Sequence, residues 1–135
     1  EIKVGSFVAS SHGLGLDGLA FYYDVNFSSP EIELGVAFQE QINWPKKLAT
    51  PYFVKGSEML LKKIAFDMQH GITASGTGFY GPQGRSLTSA ASVKVQEMFG
   101  EFLYENFKIT NFDMETSALF CLGRVFGFEC CTVNA

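Results

Sequence analysis

The sequence is short of histidine, of clustered positive charge, of long apolar runs and of cysteines at metal-binding spacing. Each shortage removes a class of function. Only His12 and His70 are present and no CxxC motif accompanies them, so zinc-ligand spacing is absent. The longest basic runs are the pairs Lys46-Lys47 and Lys62-Lys63, and the formal net charge is −4. Nucleic-acid binding needs a concentrated basic face, and that class is set aside. No apolar segment approaches the roughly 20 residues that cross a bilayer, and Glu-Ile-Lys-Val at the start has no signal-peptide pattern. The cysteines, Cys121, Cys130 and Cys131, are odd in number and two are adjacent. That is a poor disulfide framework, and the expectation is reduced, buried thiols in a cytoplasmic protein.

What is present points to a folded domain. Apolar residues make up 47% of the 135 residues against 18% charged, and the 14 Phe and 5 Tyr require a core built largely from rings. The pattern predicts a strand over residues 2–10 with a turn or bulge at Gly5, then a loop over Gly13–Gly18. Leu19–Tyr23 reads as a short strand or packed loop. Residues 26–56, with Pro30, Pro45 and Pro51, read as an irregular, mobile surface excursion holding at most one short helix. A helix is predicted over Ser57–Met68, with Ser57 as N-cap and Gly71 as its stop, and its apolar face is Leu60, Leu61, Ile64, Ala65 and Met68. Gly71–Ser75 reads as a buried strand, 76–86 as a glycine-rich loop, 93–106 as a helix weakened by Gly100, and Ile109–Phe112 as extended. Met114–Phe126 is a further predicted helix, with an apolar face of Ala118, Cys121, Leu122, Val125 and Phe126 and with Gly127 as C-cap. Cys130–Ala135 reads as a strand. This alternation of strands and helices implies an α/β domain. Because the chain opens and ends in strands, the expectation is a domain that continues beyond both ends.

Two G-x-G-x-x-G matches occur, Gly13/Gly15/Gly18 and Gly76/Gly78/Gly81. A dinucleotide site needs that motif between a strand and the first turn of a helix. The first leads into an aromatic run and the second into Pro82-Gln83-Gly84-Arg85, so both read as chance matches in a glycine-rich chain. A phosphate-loop reading fails as well, because Thr77-Gly78 stands where Lys-Ser/Thr is required.

Two segments carry candidate chemistry. In the loop 76–86, closely spaced glycines allow backbone to approach a ligand, and Phe79, Tyr80, Gln83 and Arg85 sit among them. Gln offers an acceptor and two donors and Arg a fixed fork of donors, a set able to read the edge of a flat heterocycle while Phe79 stacks on its face. The plainer reading is a solvated Gly-Pro turn with an incidental Arg. In Asn111-Phe-Asp-Met-Glu-Thr116, Asp113 and Glu115 stand at a helix entrance. Acids there complement the helix dipole, and the same acids are able to grip a vicinal diol. From the residues alone both readings stay open in each segment.

Taken together, Gly71-Ile-Thr-Ala-Ser, Phe79-Tyr-Gly-Pro-Gln-Gly-Arg85 and Asn111-Phe-Asp-Met-Glu-Thr116 resemble the nucleoside phosphorylase family, in its uridine phosphorylase branch. The opening Val4-Gly-Ser-Phe-Val-Ala and Leu16-Asp-Gly18 resemble the strand and loop that precede these motifs in the family. The resemblance covers essentially all of residues 1–135 and implies a three-layer α/β domain with a central mixed β-sheet flanked by helices. It implies that Gln83 and Arg85 hold the uracil edge, that Phe79 packs near the base, that Met114 lines the ribose pocket, and that Glu115 holds the ribose hydroxyls, assisted by Asp113. Asp113 stands where the family commonly has Glu. Arg85 and Glu115 are the implied catalytic residues. The implied reaction is phosphorolysis of uridine, or a related pyrimidine nucleoside, to uracil and ribose 1-phosphate. Inorganic phosphate is the co-substrate, with no metal or organic cofactor. A homo-oligomer, dimer or hexamer, is implied as well. The family's phosphate-binding segments precede these motifs and are not found among the 135 residues, so the chain is expected to be a partial domain that is inactive by itself. A nucleosidase using water and a non-catalytic nucleoside-binding module are the alternatives.

Overall fold

The computed structural model describes residues 2–3, 5–85 and 93–135. Val4, which belongs to the expected first strand, and Ser86, which closes the expected glycine loop, lie outside the described residues. Nine elements are named: β1 (Val8–Gly15), α1 (Ser29–Gln41), β2 (Tyr52–Lys55), α2 (Glu58–Ile64), β3 (Gln69–Ser75), α3 (Val95–Glu101), β4 (Ile109–Asp113), α4 (Thr116–Phe126) and β5 (Val133–Asn134). The sheet runs in the order β2-β1-β3-β4. Strands β1, β3 and β4 are parallel, while β2 and β5 pair antiparallel with β1. This is the expected mixed sheet flanked by helices.

Alternation along the strands sends side chains to opposite faces. Leu14, Phe53, Ile72 and Ala74 meet Leu34 and Phe38 of α1 and Val95 and Phe99 of α3 in one core. Phe38 is its centre, with ring contacts to Trp44, Phe53, Phe99 and Phe102 at centroid distances of 5.2–5.8 Å. The alternate residues Tyr52 and Val54 pack with Phe120 and Cys121 of α4 in a second cluster. A third, smaller cluster joins Ala9 to Leu61 and Ala65 beside α2.

Several local expectations need correction. The first strand starts at Val8, later than predicted, while Gly5 makes its turn at φ 85°. Gly13 and Gly15 lie inside β1 and not in a loop. A Cβ on Gly13 would stand 2.9 Å from the Ser117 Cα, so the missing side chain lets α4 lie directly on the strand. Leu19–Tyr22 forms a 3₁₀ turn. Residues 26–56 are not an irregular excursion. They hold the 13-residue α1 and the strand β2. A capping box between Ser28 and Glu31, with Pro30 in the first turn, starts α1.

Ser57 does cap α2, its hydroxyl accepting from the Leu60 N–H at 3.2 Å, but the helix ends at Ile64. Gly71 belongs to β3 instead of stopping a helix. It faces Thr110 so closely that no side chain fits there. Helix α3 covers only part of the predicted 93–106. Helix α4 starts at Thr116 and ends at Gly127 in the left-handed conformation, φ 75°, as expected for a glycine C-cap. Its buried residues are Thr116, Ser117, Phe120, Cys121 and Gly123, whereas Val125 and Phe126 are exposed. β5 is two residues long, much shorter than predicted. Cys121 is buried and Cys130 and Cys131 are half-buried free thiols. Among the described residues no helix is long and apolar enough to cross a membrane.

Candidate functional site

Parallel strands aligned in register end together, and the crevice outside their carboxyl ends is where open α/β sheets place ligands. Gly15, Ser75 and Asp113 are aligned across β1, β3 and β4 at that end. Two main-chain bonds continue the alignment past the strands, Leu16 N–H to Ser75 C=O at 3.1 Å and Gly76 N–H to Asp113 C=O at 3.0 Å. The loop after β1, the glycine loop after β3 and the Met114-Glu115 junction after β4 therefore leave the sheet side by side.

In the glycine loop a 3₁₀ turn over Gly81–Gln83 closes with Gly84 at φ 74°. The turn folds Arg85 back over the start of the loop. Its guanidinium carbon lies 3.9 Å from the centroid of the Phe79 ring, a cation–π contact. Arg85 Nη1 donates to the Phe79 carbonyl at 3.2 Å and to Gln83 Oε1. The Gln83 side chain is buried, and its Nε2 donates to the Asp113 carbonyl at 3.2 Å. The Gln83 main-chain carbonyl accepts from Gln96 Nε2 of α3 at 3.3 Å. Phe79, Gln83 and Arg85 are thus one bonded group, tied to the end of β4. With both Arg85 bonds made through Nη1, its Nη2 and Nε remain without a partner among the described residues, as does one N–H of the Gln83 amide.

The second predicted segment divides in two. Asp113 ends β4 and turns its carboxylate inward. Oδ1 accepts from the Ser75 hydroxyl at 2.6 Å, and from the Glu115 and Thr116 N–H groups at 3.3 Å each. Oδ2 accepts from the Thr116 N–H at 3.2 Å and from the Thr116 hydroxyl. Met114 and Glu115 are exposed. Glu115 Oε2 accepts from the Met114 N–H at 3.1 Å. Among the described residues no hydrogen bond joins Glu115 to Gln83 or Arg85. The two halves of the predicted site meet through the Asp113 carbonyl, not through their side chains.

A cavity of about 440 Å³ opens beside the same loops, with Leu16, Asp17, Trp44, Thr77 and Pro82 among its walls. Phe79, Gln83, Arg85 and Glu115 are not among its lining residues. Asp17, quoted in the resemblance but not expected as a site residue, has a carboxylate that accepts from the Tyr52 hydroxyl at 2.9 Å and from the Leu19 N–H at 2.8 Å. An Asp followed two residues later by a turn is the local signal for the second bond. Ser75 and Thr116, the partners of Asp113, were likewise missed.

The two histidines lie elsewhere. His12 is buried with its ring edge-on to Phe107, centroids 4.9 Å apart, and burial lowers its pKa to about 4. The nearby Lys55 and Arg124 charges act the same way and the Glu31 charge opposes them. His70 Nε2 lies 3.0 Å from the Ala65 carbonyl.

This fold, with its candidate groups at the carboxyl ends of parallel strands, defines an α/β enzyme-type domain. The chain belongs to the phosphorylase superfamily, whose sequence profile matches residues 1–135. Among solved structures it is similar to a Trypanosoma brucei nucleoside phosphorylase that shows uridine phosphorylase activity. The TM-score is 0.79 and the identity 24%, over 95% of this chain and 47% of that one. A Schistosoma mansoni uridine phosphorylase matches at TM-score 0.51 and 20% identity, over 98% of this chain and 43% of that one. A Helicobacter pylori 5′-methylthioadenosine/S-adenosyl homocysteine nucleosidase matches at TM-score 0.51 and 20% identity, over 100% of this chain and 48% of that one. These likenesses establish the nucleoside phosphorylase fold. The chain spans about half the length of the solved relatives it matches. No curated protein matches the sequence.

Proposed function

We propose that the full-length protein is a pyrimidine nucleoside phosphorylase that converts uridine and phosphate to uracil and ribose 1-phosphate. The observation that carries this reading is the bonded group of Phe79, Gln83 and Arg85, fastened to the Asp113 carbonyl immediately before Met114 and Glu115. Gln83 and Arg85 hold each other in place and keep donors free for the carbonyl groups of a uracil ring. Phe79 packs near the base, with one face already covered by the guanidinium. Met114 lines the sugar pocket and Glu115 takes the ribose hydroxyls.

Breaking the glycosidic bond puts negative charge on the departing base and positive character on the sugar. Arg85 is placed to stabilise the first and Glu115 the second, and both gain strength as charge develops. Phosphate attacks C1′ as the nucleophile. No residue of this chain is assigned to holding it, and no metal or organic cofactor is invoked. Exposed Phe126 and Phe128 at the end of α4 support assembly into a homo-oligomer.

The test is an assay of the full-length protein with uridine, thymidine and inosine, with and without phosphate. Phosphate-dependent release of uracil, with inosine untouched, is the expected result. Uracil release independent of phosphate would make the protein a nucleosidase. Binding without turnover would make it a nucleoside-binding module.

A further inference from the structure

We propose that Asp113 is a positioning residue that fixes the Glu115 backbone, and that Glu115 is the sole carboxylate presented to the sugar. This rests on the function proposed above.

A carboxylate offers about four lone-pair sites. The Asp113 carboxylate already accepts from the Ser75 hydroxyl, the Glu115 N–H, the Thr116 N–H and the Thr116 hydroxyl. To take a ribose hydroxyl it would have to release one of these, and the fully buried Ser75 and Thr116 would lose a bond that burial makes costly to break.

The donors are themselves anchored. Ser75 Oγ also accepts from the Ser117 N–H at 2.9 Å. Thr116 Oγ1 lies 3.0 Å from Thr132 Oγ1, and the Thr132 hydroxyl donates to Ser10 Oγ at 2.7 Å. Ser10 Oγ in turn lies 2.6 Å from Thr73 Oγ1, whose hydroxyl donates to Asn111 Oδ1 at 2.9 Å. With the Thr116 hydroxyl donating to Asp113 and the Thr132 hydroxyl to Ser10, two short hydroxyl relays lie side by side, and Asp113 is the charged end of the one that joins β3, β4 and the start of α4. Such a network resists withdrawal of its only anion.

Glu115 stands in the opposite situation. It is exposed, and Oε1 has no partner among the described residues while Oε2 takes only the Met114 N–H. The bond from the Glu115 N–H to Asp113 Oδ1 fixes the peptide from which this side chain projects. Asp113 therefore acts on the sugar through Glu115.

The experiment measures kcat and KM of the full-length protein for uridine and 2′-deoxyuridine in Asp113→Asn, Glu115→Ala and the double variant. Asp113→Asn is expected to lower kcat/KM for both substrates by the same factor, about tenfold, as misorientation of a binding group does. In the Glu115→Ala background the further loss is expected to be under about twofold, since the residue acted upon is gone. Selective loss on uridine, with 2′-deoxyuridine spared, would make Asp113 a direct ligand of the 2′-hydroxyl and overturn the proposal. Undiminished loss in the Glu115→Ala background would reduce Asp113 to a general stability role and overturn it as well. If Asp113→Asn does not fold, Ser75→Ala removes one donor and carries the same expectations. If the wild-type protein turns over no nucleoside, the functional reading falls separately. Amide exchange at Glu115 and Thr116 then decides, with acceleration in Asp113→Asn expected and unchanged exchange refuting the fixing role.

Discussion

Arg124 and Glu31 form a two-bond ion pair across the fold, with Nη1 to Oε2 at 2.8 Å and Nη2 to Oε1 at 2.6 Å. The pair ties α4 to the first turn of α1. The Glu31 carboxylate is buried, and it also accepts from the Ser28 N–H, the Ser28 hydroxyl and the Lys55 N–H. Burial by itself raises its pKa, but the hydrogen bonds from Arg124, Lys55 and Ser28 outweigh that and hold it at about 2. Removing the guanidinium leaves a buried anion unpaired. Arg124→Met is expected to cost about 3–5 kcal/mol in urea unfolding of the full-length protein at pH 7. The double variant Glu31→Leu/Arg124→Leu is expected to recover part of that loss. A single-variant cost below about 1 kcal/mol would show that the pair is solvated.

Gly13 tests the contact between sheet and helix. A Cβ there meets the Ser117 Cα and N at 2.9 and 3.1 Å, and both are backbone atoms that cannot rotate away. Gly13→Ala is expected to destabilise by about 1–3 kcal/mol, as overpacking does. Because α4 begins just after Glu115, the displacement also reaches the candidate site. A loss of nucleoside binding is expected beside the fall in melting temperature. An unchanged melting temperature would mean that α4 does not bear on β1.

The contrast between α1 and α4 shows which parts of the fold were legible. Strand β3, the Ser57 cap and the Gly127 cap rest on neighbouring residues and could be read directly. Helix α1 was obscured because Ile32 and Val36 face outward while Leu34, Gly35 and Phe38 face in, which blurs its periodicity. Its Ser28…Glu31 capping box was nonetheless a local signal. Helix α4 was found, but its buried face was misjudged. Close approach to β1 at Gly13 selects Ser117 for the inside, Gly123 lies against Cys130 and the Phe128 carbonyl, and Val125 and Phe126 are left outside. At the candidate site, Gln83 and Arg85 are close in sequence and their pairing was readable. The loading of Asp113 was not, because it depends on the register that sets Ser75 beside Asp113.

His12 gives the protein an acid-side weakness. Its folded pKa of about 4 lies below the ordinary 6.5, chiefly through burial. Between those values the unfolded chain binds more protons than the folded one, so stability rises with pH across that window. The contribution is complete above about pH 6.5 and is lost as pH falls toward 4, with a limit of about 3 kcal/mol. Urea midpoints of the full-length protein at pH 7.5 and pH 5 measure it. His12→Gln, which cannot take up a proton, is expected to flatten the difference. An equal slope in that variant would assign the effect to other groups.

Arg85 and Gln83 are expected to fail in different ways. Lys at position 85 keeps a positive charge but loses the planar fork that spans the Phe79 ring, the Phe79 carbonyl and Gln83 Oε1. If Arg85 stabilises the departing base, Arg85→Lys lowers kcat by about 10²–10³ with a smaller change in KM. Gln83→Leu removes a buried amide that braces Arg85 against the Asp113 carbonyl and that the proposed function assigns to reading the base. It is expected to raise KM for uridine and to narrow the preference for uridine over inosine, because discrimination by hydrogen bonding is what the amide supplies. Steady-state kinetics of the full-length variants with both nucleosides separate the two effects. Equal, purely KM-type losses in both variants would place Arg85 in ground-state binding alone and remove it from the catalytic step.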